Sequence, residues 1–312
     1  MIEERFANAI RINYTFLSLL VLFYHAGASN PRFFLNVEVF RNLFNSLRMP
    51  LYFFIGGILI ERQIRRGKTI DFLKNRFRRL IVPFLWFAPF YYLVETTFSE
   101  TIFRRPTSIL FSILFPGYHL WFLPAFFFAS LVGAIQAKYI TSNLGSVIFV
   151  LSLVLLNSKI DETGDGLFAI YASIRMLPFL ALGIFYSLAL YSNTKKINRS
   201  LYVSWVMLNV FLGWIEFLNF NILFLFLVLP LLFLVAGFVK VDSRFKILSK
   251  YTFQIYLFSP LGIGFSRYII GLYGEVGVNQ EVIINSLCGL IGSFVMIRIF
   301  TKIKKLSFMA GL

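Results

Sequence analysis

Two histidines and a handful of arginines are the residues that could do chemistry in this otherwise apolar chain. His25 stands near the end of "LLVLFYHAG", and His119 opens the run "YHLWFLPAFF". An imidazole exchanges a proton near neutral pH, so either one suits general acid or base work on a hydroxyl nucleophile. Arg48 and Arg175 begin the similar stretches "RMPLYFFIGG" and "RMLPFLALG", where a guanidinium could place a substrate or steady developing negative charge. A third group, Lys74, Arg76, Arg78 and Arg79 in "KNRFRRLIVPFLW", presents forks that match phosphate oxygens. The same four bases also suit a topology anchor or a seat for anionic lipid headgroups.

The elements that must carry these residues are membrane-spanning helices. Of 312 residues, 58% are hydrophobic and only 14% are charged, well outside the composition of a soluble domain. Apolar stretches of about 17 to 25 residues recur along the chain, each long enough to cross a hydrocarbon core roughly 30 Å thick. About ten can be placed, near 12–29, 42–60, 80–98, 118–136, 143–158, 172–191, 201–217, 220–239, 251–270 and 283–301. The net charge of +16 sorts by loop: alternate gaps hold clusters such as Arg62 to Arg79, Lys195 to Arg199 and Lys240 to Lys250, while the others hold most of the acids. By the positive-inside rule both termini are cytoplasmic, and the bases need no nucleic-acid partner. The chain reads as an all-α integral membrane protein, one domain over 1–312 with no separate soluble domain.

Several chemistries have nothing to stand on. The first apolar segment lacks a small-residue cleavage pattern and is expected to be retained as a helix. Cys288 is the single cysteine, which removes disulfides and cysteine-based metal sites within one chain. "DETGDG" at 161–166 lacks the spacing of a calcium loop, so no metal is expected. No Walker lysine motif, GxSxG elbow or HExxH occurs.

With this orientation His25 falls at the outer end of the first segment and His119 at the outer start of the fourth. Arg48 and Arg175 fall near the outer starts of the second and sixth. Four polar groups therefore gather at one depth. Fourteen helical residues beyond Arg11 carry His25 roughly 21 Å from the inner boundary. Ionisable residues at such depth are costly and mark functional pathways. Simpler readings stand beside that one: a neutral His25 bonded to a neighbouring helix, and His119 with Trp121 in the interfacial aromatic belt. Gly56 and Gly57 serve either close helix packing or room for a narrow ligand. A transporter or exporter of a polysaccharide or lipid-linked sugar would use the same groups without chemistry, although the chain shows no convincing internal repeat of the transporter kind.

Taken in order, "LLVLFYHAG", "RMPLYFFIGG", "FLKNRFRRLIVPFLW", "YHLWFLPAFF", "RMLPFLALG" and "YTFQIYLFSPLG" resemble the acyltransferase 3 family of membrane O-acyltransferases over nearly the full length. The resemblance implies transfer of an acyl group, usually acetyl from cytoplasmic acetyl-CoA, to a hydroxyl of a cell-envelope glycan or lipid-linked sugar in a bacterial inner membrane. It implies that His25 assists the transfer, and that Arg76 and Arg79, supported by Lys74 and Arg78, meet the acyl donor. Arg48 with Pro50 matches the second-helix element and His119 with Trp121 the fourth-helix element. Arg175 joins them on the acceptor side. Three positions depart from the family pattern: Tyr14 stands where a base commonly precedes the histidine, Gly56 where a serine is frequent, and Ser259 where a histidine is frequent.

Overall fold

Lipid offers backbone groups no water, so spanning segments must satisfy their own N–H and C=O groups. The computed structural model describes residues 2–27, 38–98, 109–116, 120–157, 167–191, 229–230, 236, 243–274, 276–303, 307 and 309–311. Among these residues the regular elements are all helical. Six helices among the described residues are long and apolar enough to cross a membrane: Ala7–Gly27, Thr69–Val94, Phe122–Tyr139, Leu167–Ala189, Thr252–Tyr273 and Val278–Lys302. The protein is thus a multi-pass membrane protein. The segment expected at 42–60 lies within a long helix that also carries six charged residues, Glu38, Arg41, Arg48, Glu61, Arg62 and Arg65. That at 143–158 forms the shorter apolar helix Asn143–Asn157. The segment expected at 201–217, and all of 220–239 except 229, 230 and 236, lie outside the described residues.

The chain divides into two compact units, Met1–Met49 with Leu231–Leu312, and Pro50–Pro230. The first is built on helices α1 (Ile2–Gly27), the start of α2 (Glu38–Arg65), α9 (Ser243–Lys250), α10 (Thr252–Tyr273) and α11 (Val278–Lys302). In α1 the polar side chains of Asn13, Thr15 and Ser18 donate to the carbonyls of Ala9, Arg11 and Tyr14, each at 2.8 Å. Bonding back to the preceding turn lets polar residues sit in an apolar helix without stranded donors. Between α10 and α11 the chain reverses at Gly274, whose φ of 111° lies outside the range side-chain-bearing residues readily adopt.

Small residues bring α10 and α11 together. A Cβ on Gly262 would strike the backbone carbonyl of Cys288, and Gly292 faces Gly262 directly. Ser293 Oγ donates within its helix to Gly289 O at 2.7 Å and reaches Ile255 O on α10 at 3.4 Å. Helices in lipid gain little from burying apolar surface against each other, so close packing of this kind is what holds them. α1 packs on both, with Ala26, Ile263 and Val282 forming a buried apolar contact where the three meet.

The second unit contains the rest of α2, then α3 (Thr69–Arg76), a five-residue π-helical turn Phe77–Ile81, α4 (Val82–Phe98), α5 (Ile109–Leu114), α6 (Phe122–Tyr139), α7 (Asn143–Asn157) and α8 (Ile170–Tyr191). α8 packs against α6 and α7. The contact of α2 with α8 is reciprocal: a Cβ on Gly57 would hit the carbonyl oxygen of Leu180, and one on Gly183 would hit that of Phe54. Gly133 of α6 faces Leu180, Ile184 and Ile60. One turn along α2, the buried carboxylate of Glu61 accepts from Ser187 Oγ at 2.7 Å and from Arg65 Nε. Of the two readings of Gly56 and Gly57, close packing is what the side chains enforce, because the ring of Phe126 fills the space beside Gly56.

Candidate active site

The last four carbonyls of any helix lack intrahelical partners. His25 lies in the last turn of α1, where this deficit falls. Two side chains from distant parts of the chain meet it. Arg267 of α10 donates from Nη2 to His25 O at 2.5 Å, and Asn285 of α11 donates from Nδ2 to Ala26 O at 3.3 Å. Asn285 is oriented in turn, since its Oδ1 accepts from Ser266 Oγ at 2.6 Å. The half-buried imidazole sits edge-on to the ring of Tyr24, with centroids 5.7 Å apart.

Tyr24 connects this end of α1 with Arg48. The Arg48 guanidinium carbon lies 3.6 Å from the centroid of the Tyr24 ring, close enough for a strong cation–π contact. Its Nε and Nη1 are buried without a hydrogen-bond partner among the described residues. Arg267 Nε and Ser259 Oγ are in the same condition. A native fold leaves few buried polar groups unpaired, and each such group calls for an explanation. Two of them meet residues of the last turn of α1: Arg48 lies over the ring of Tyr24, and Arg267 donates to the carbonyl of His25.

The other sequence-derived candidates lie in the second unit. Trp121 precedes the first residue of α6 and sits half-buried, its ring edge-on to Phe122 at 6.4 Å. Arg175 is half-buried in α8, and its carbonyl accepts from Asn157 Nδ2 at 3.4 Å. His119 lies outside the described residues.

The four bases of the third group have unequal surroundings. Arg76 is half-buried at the end of α3, its guanidinium carbon 5.1 Å from the Phe72 centroid and 4.8 Å from that of Phe126. Lys74, Arg78 and Arg79 are exposed. The π-helical turn begins directly after Arg76 and contains Arg78 and Arg79, so the Arg-x-x-Arg spacing is not that of one continuous α-helix. Such π insertions recur at functional positions in helices.

Sequence reasoning did not single out Arg267, Asn285, Ser266, Tyr24 or Glu61. One signal for Arg267 was available: it is a charged residue inside an apolar segment, "LGIGFSRYIIGLY". Among the described residues no group of three or more His, Cys, Asp or Glu side chains is placed to hold a metal ion.

This multi-pass membrane protein thus carries a half-buried histidine, a group able to exchange a proton near neutral pH, at a braced helix end. The family model described as an acyltransferase domain, Acyl_transf_3, matches residues 15–301, and the chain belongs to that family of acyltransferases. No curated protein and no solved structure matches the chain at a significant level.

Proposed function

We propose that this acyltransferase moves an acetyl group from cytoplasmic acetyl-CoA to a hydroxyl of a cell-envelope glycan or lipid-linked sugar in a bacterial inner membrane. On this reading 1–312 is one catalytic domain of about ten spans with both termini cytoplasmic. The observation that carries the proposal is His25, the proton-transfer candidate of an acyltransferase chain, held at the braced end of α1 with buried arginine donors in the same unit.

The chemistry follows from the groups. His25 takes the proton of the acceptor hydroxyl as the oxygen attacks the thioester carbonyl; the C–S bond breaks, and the proton returns to the departing thiolate. Arg48 steadies negative charge that develops on the carbonyl oxygen or places the acceptor, with His119, Trp121 and Arg175 also on the acceptor side. Lys74, Arg78 and Arg79 draw the donor's phosphates to the cytoplasmic surface, and Arg76 supports them from its seat between two rings.

The test is reconstitution in liposomes with labelled acetyl-CoA and candidate envelope glycans. His25→Ala is expected to lower transfer by roughly 10²- to 10⁴-fold. Undiminished transfer would remove the catalytic assignment, and sugar flux without any donor would turn the reading toward transport. A Lys74→Ala, Arg79→Ala double variant should raise KM for acetyl-CoA with kcat little changed; an unaltered KM returns the basic cluster to a topology anchor.

A further inference from the structure

The end of a helix frays unless something outside it bonds the terminal carbonyls. In α1 that end bears His25, and in lipid no water is present to serve instead. The carbonyls of two consecutive residues, His25 and Ala26, are taken by side chains from two different helices. These donors are of different chemistry and are set up differently. Arg267 brings a positive charge to the carbonyl end of α1, where the helix dipole favours it, and Glu281 in the first turn of α11 acts on it electrostatically. Asn285 is neutral and buried, and its amide is turned by Ser266 so that the N–H side faces Ala26 O.

Around these bonds the packing is tight. Ala26 lies in the buried contact with Ile263 and Val282, one turn from Ser266 and from Asn285 on their helices. Arg267 follows Ser266, so the same turn of α10 supplies both the charge on His25 O and the hydroxyl that orients Asn285. A rotation of α1 of a fraction of a turn would break both carbonyl bonds and swing the imidazole with it. Two donors from different helices on adjacent carbonyls restrict rotation of the helix end more than one would.

We infer that Arg267 and Asn285, with Ser266 behind Asn285, are positioning residues that set the direction of the His25 imidazole for proton transfer. The inference rests on His25 as the base proposed above. Reaction rates are sensitive to such placement: a displacement of about 1 Å can cost roughly 10²-fold. Loss of the hold should therefore lower kcat while KM for acetyl-CoA stays unchanged, since none of the three residues belongs to the donor group.

The chain carries two histidines, which allows each to be followed separately. The full-length protein in liposomes is treated with diethyl pyrocarbonate, and carbethoxylation of the His25 and His119 peptides is timed by mass spectrometry. Kinetics are read as turnover of labelled acetyl-CoA in vesicles that retain their own envelope glycan. In Arg267→Ala and Asn285→Ala the His25 labelling rate is expected to change several-fold with the His119 rate as in the wild type, while the melting temperature falls modestly because a buried carbonyl is stranded. kcat is expected to fall roughly 10- to 100-fold. Arg267→Lys, which can still donate to His25 O, should recover most of both. If Arg267→Ala does not fold, Arg267→Gln and Ser266→Ala carry the test with smaller changes in the same direction. Wild-type His25 labelling in these variants overturns the positioning role. Transfer that survives His25→Ala while His25 labelling still responds to Arg267 overturns the catalytic reading instead, and with it the chemical purpose of the hold.

Discussion

The two units treat their buried charges differently. In the second, Glu61 is almost wholly buried on α2, yet both carboxylate oxygens are bonded, one by Ser187 of α8 and the other by Arg65 one turn along. The glycines that bring α2 and α8 together, Gly57 and Gly183, lie one turn away from this pair. In the first unit the charges are left incomplete: Arg48 keeps two buried nitrogens and Arg267 one without a partner among the described residues. A charge with both oxygens bonded can join helices, as Glu61 does through Ser187. An incomplete one keeps donors for a ligand, at a cost in stability of about 1–3 kcal/mol per stranded group. The contrast is between a charge whose bonding is filled by neighbouring side chains and charges that keep donors to spare.

That contrast can be broken experimentally. The largest effect is expected from Arg48→Leu, which removes the unpaired donors: transfer of labelled acetyl should fall by roughly 10- to 100-fold, the worth of a hydrogen bond to a charged group, while the melting temperature holds or rises. A variant that transfers normally would make Arg48 a structural residue like Glu61. Next comes Gly57→Ala, whose methyl must displace the Leu180 carbonyl. Overpacking of this kind costs about 1–3 kcal/mol, visible as a lower melting temperature in detergent, with KM values unchanged in whatever protein remains folded. Normal stability would show that α2 and α8 can separate without penalty. The smallest effect belongs to Ser187→Ala, which strands one oxygen of Glu61 and should cost about 1–2 kcal/mol with transfer intact. Loss of transfer there would give Glu61 a part in the reaction beyond joining α2 to α8.

What could be read in advance follows from where each kind of information lies. A spanning helix is a local property: the apolar runs around Leu17, Leu123, Leu180 and Leu257 are each visible in their own twenty residues, and each is a helix in the structure. The histidine and the arginine motifs were legible for the same reason, because each is a short string with an order along the chain. The brace on His25 was not. Arg267 stands 242 residues from its acceptor, and Asn285 stands 259 from its own, so no periodicity links them. The glycines of α2 could be read two ways until Leu180 and Phe126 were seen against them. A residue count also does not show that the chain widens into a π turn between Arg76 and Arg79.

The distance along the chain between His25 and Arg267 has a consequence for biosynthesis. α1 leaves the ribosome early, while the donors that complete it are made 242 or more residues later. At about 5–20 residues per second that interval is of order 10–50 s. Until then the carbonyl end of α1 is without its brace. A nascent chain that stops short of α10 therefore holds the histidine but not the arrangement around it.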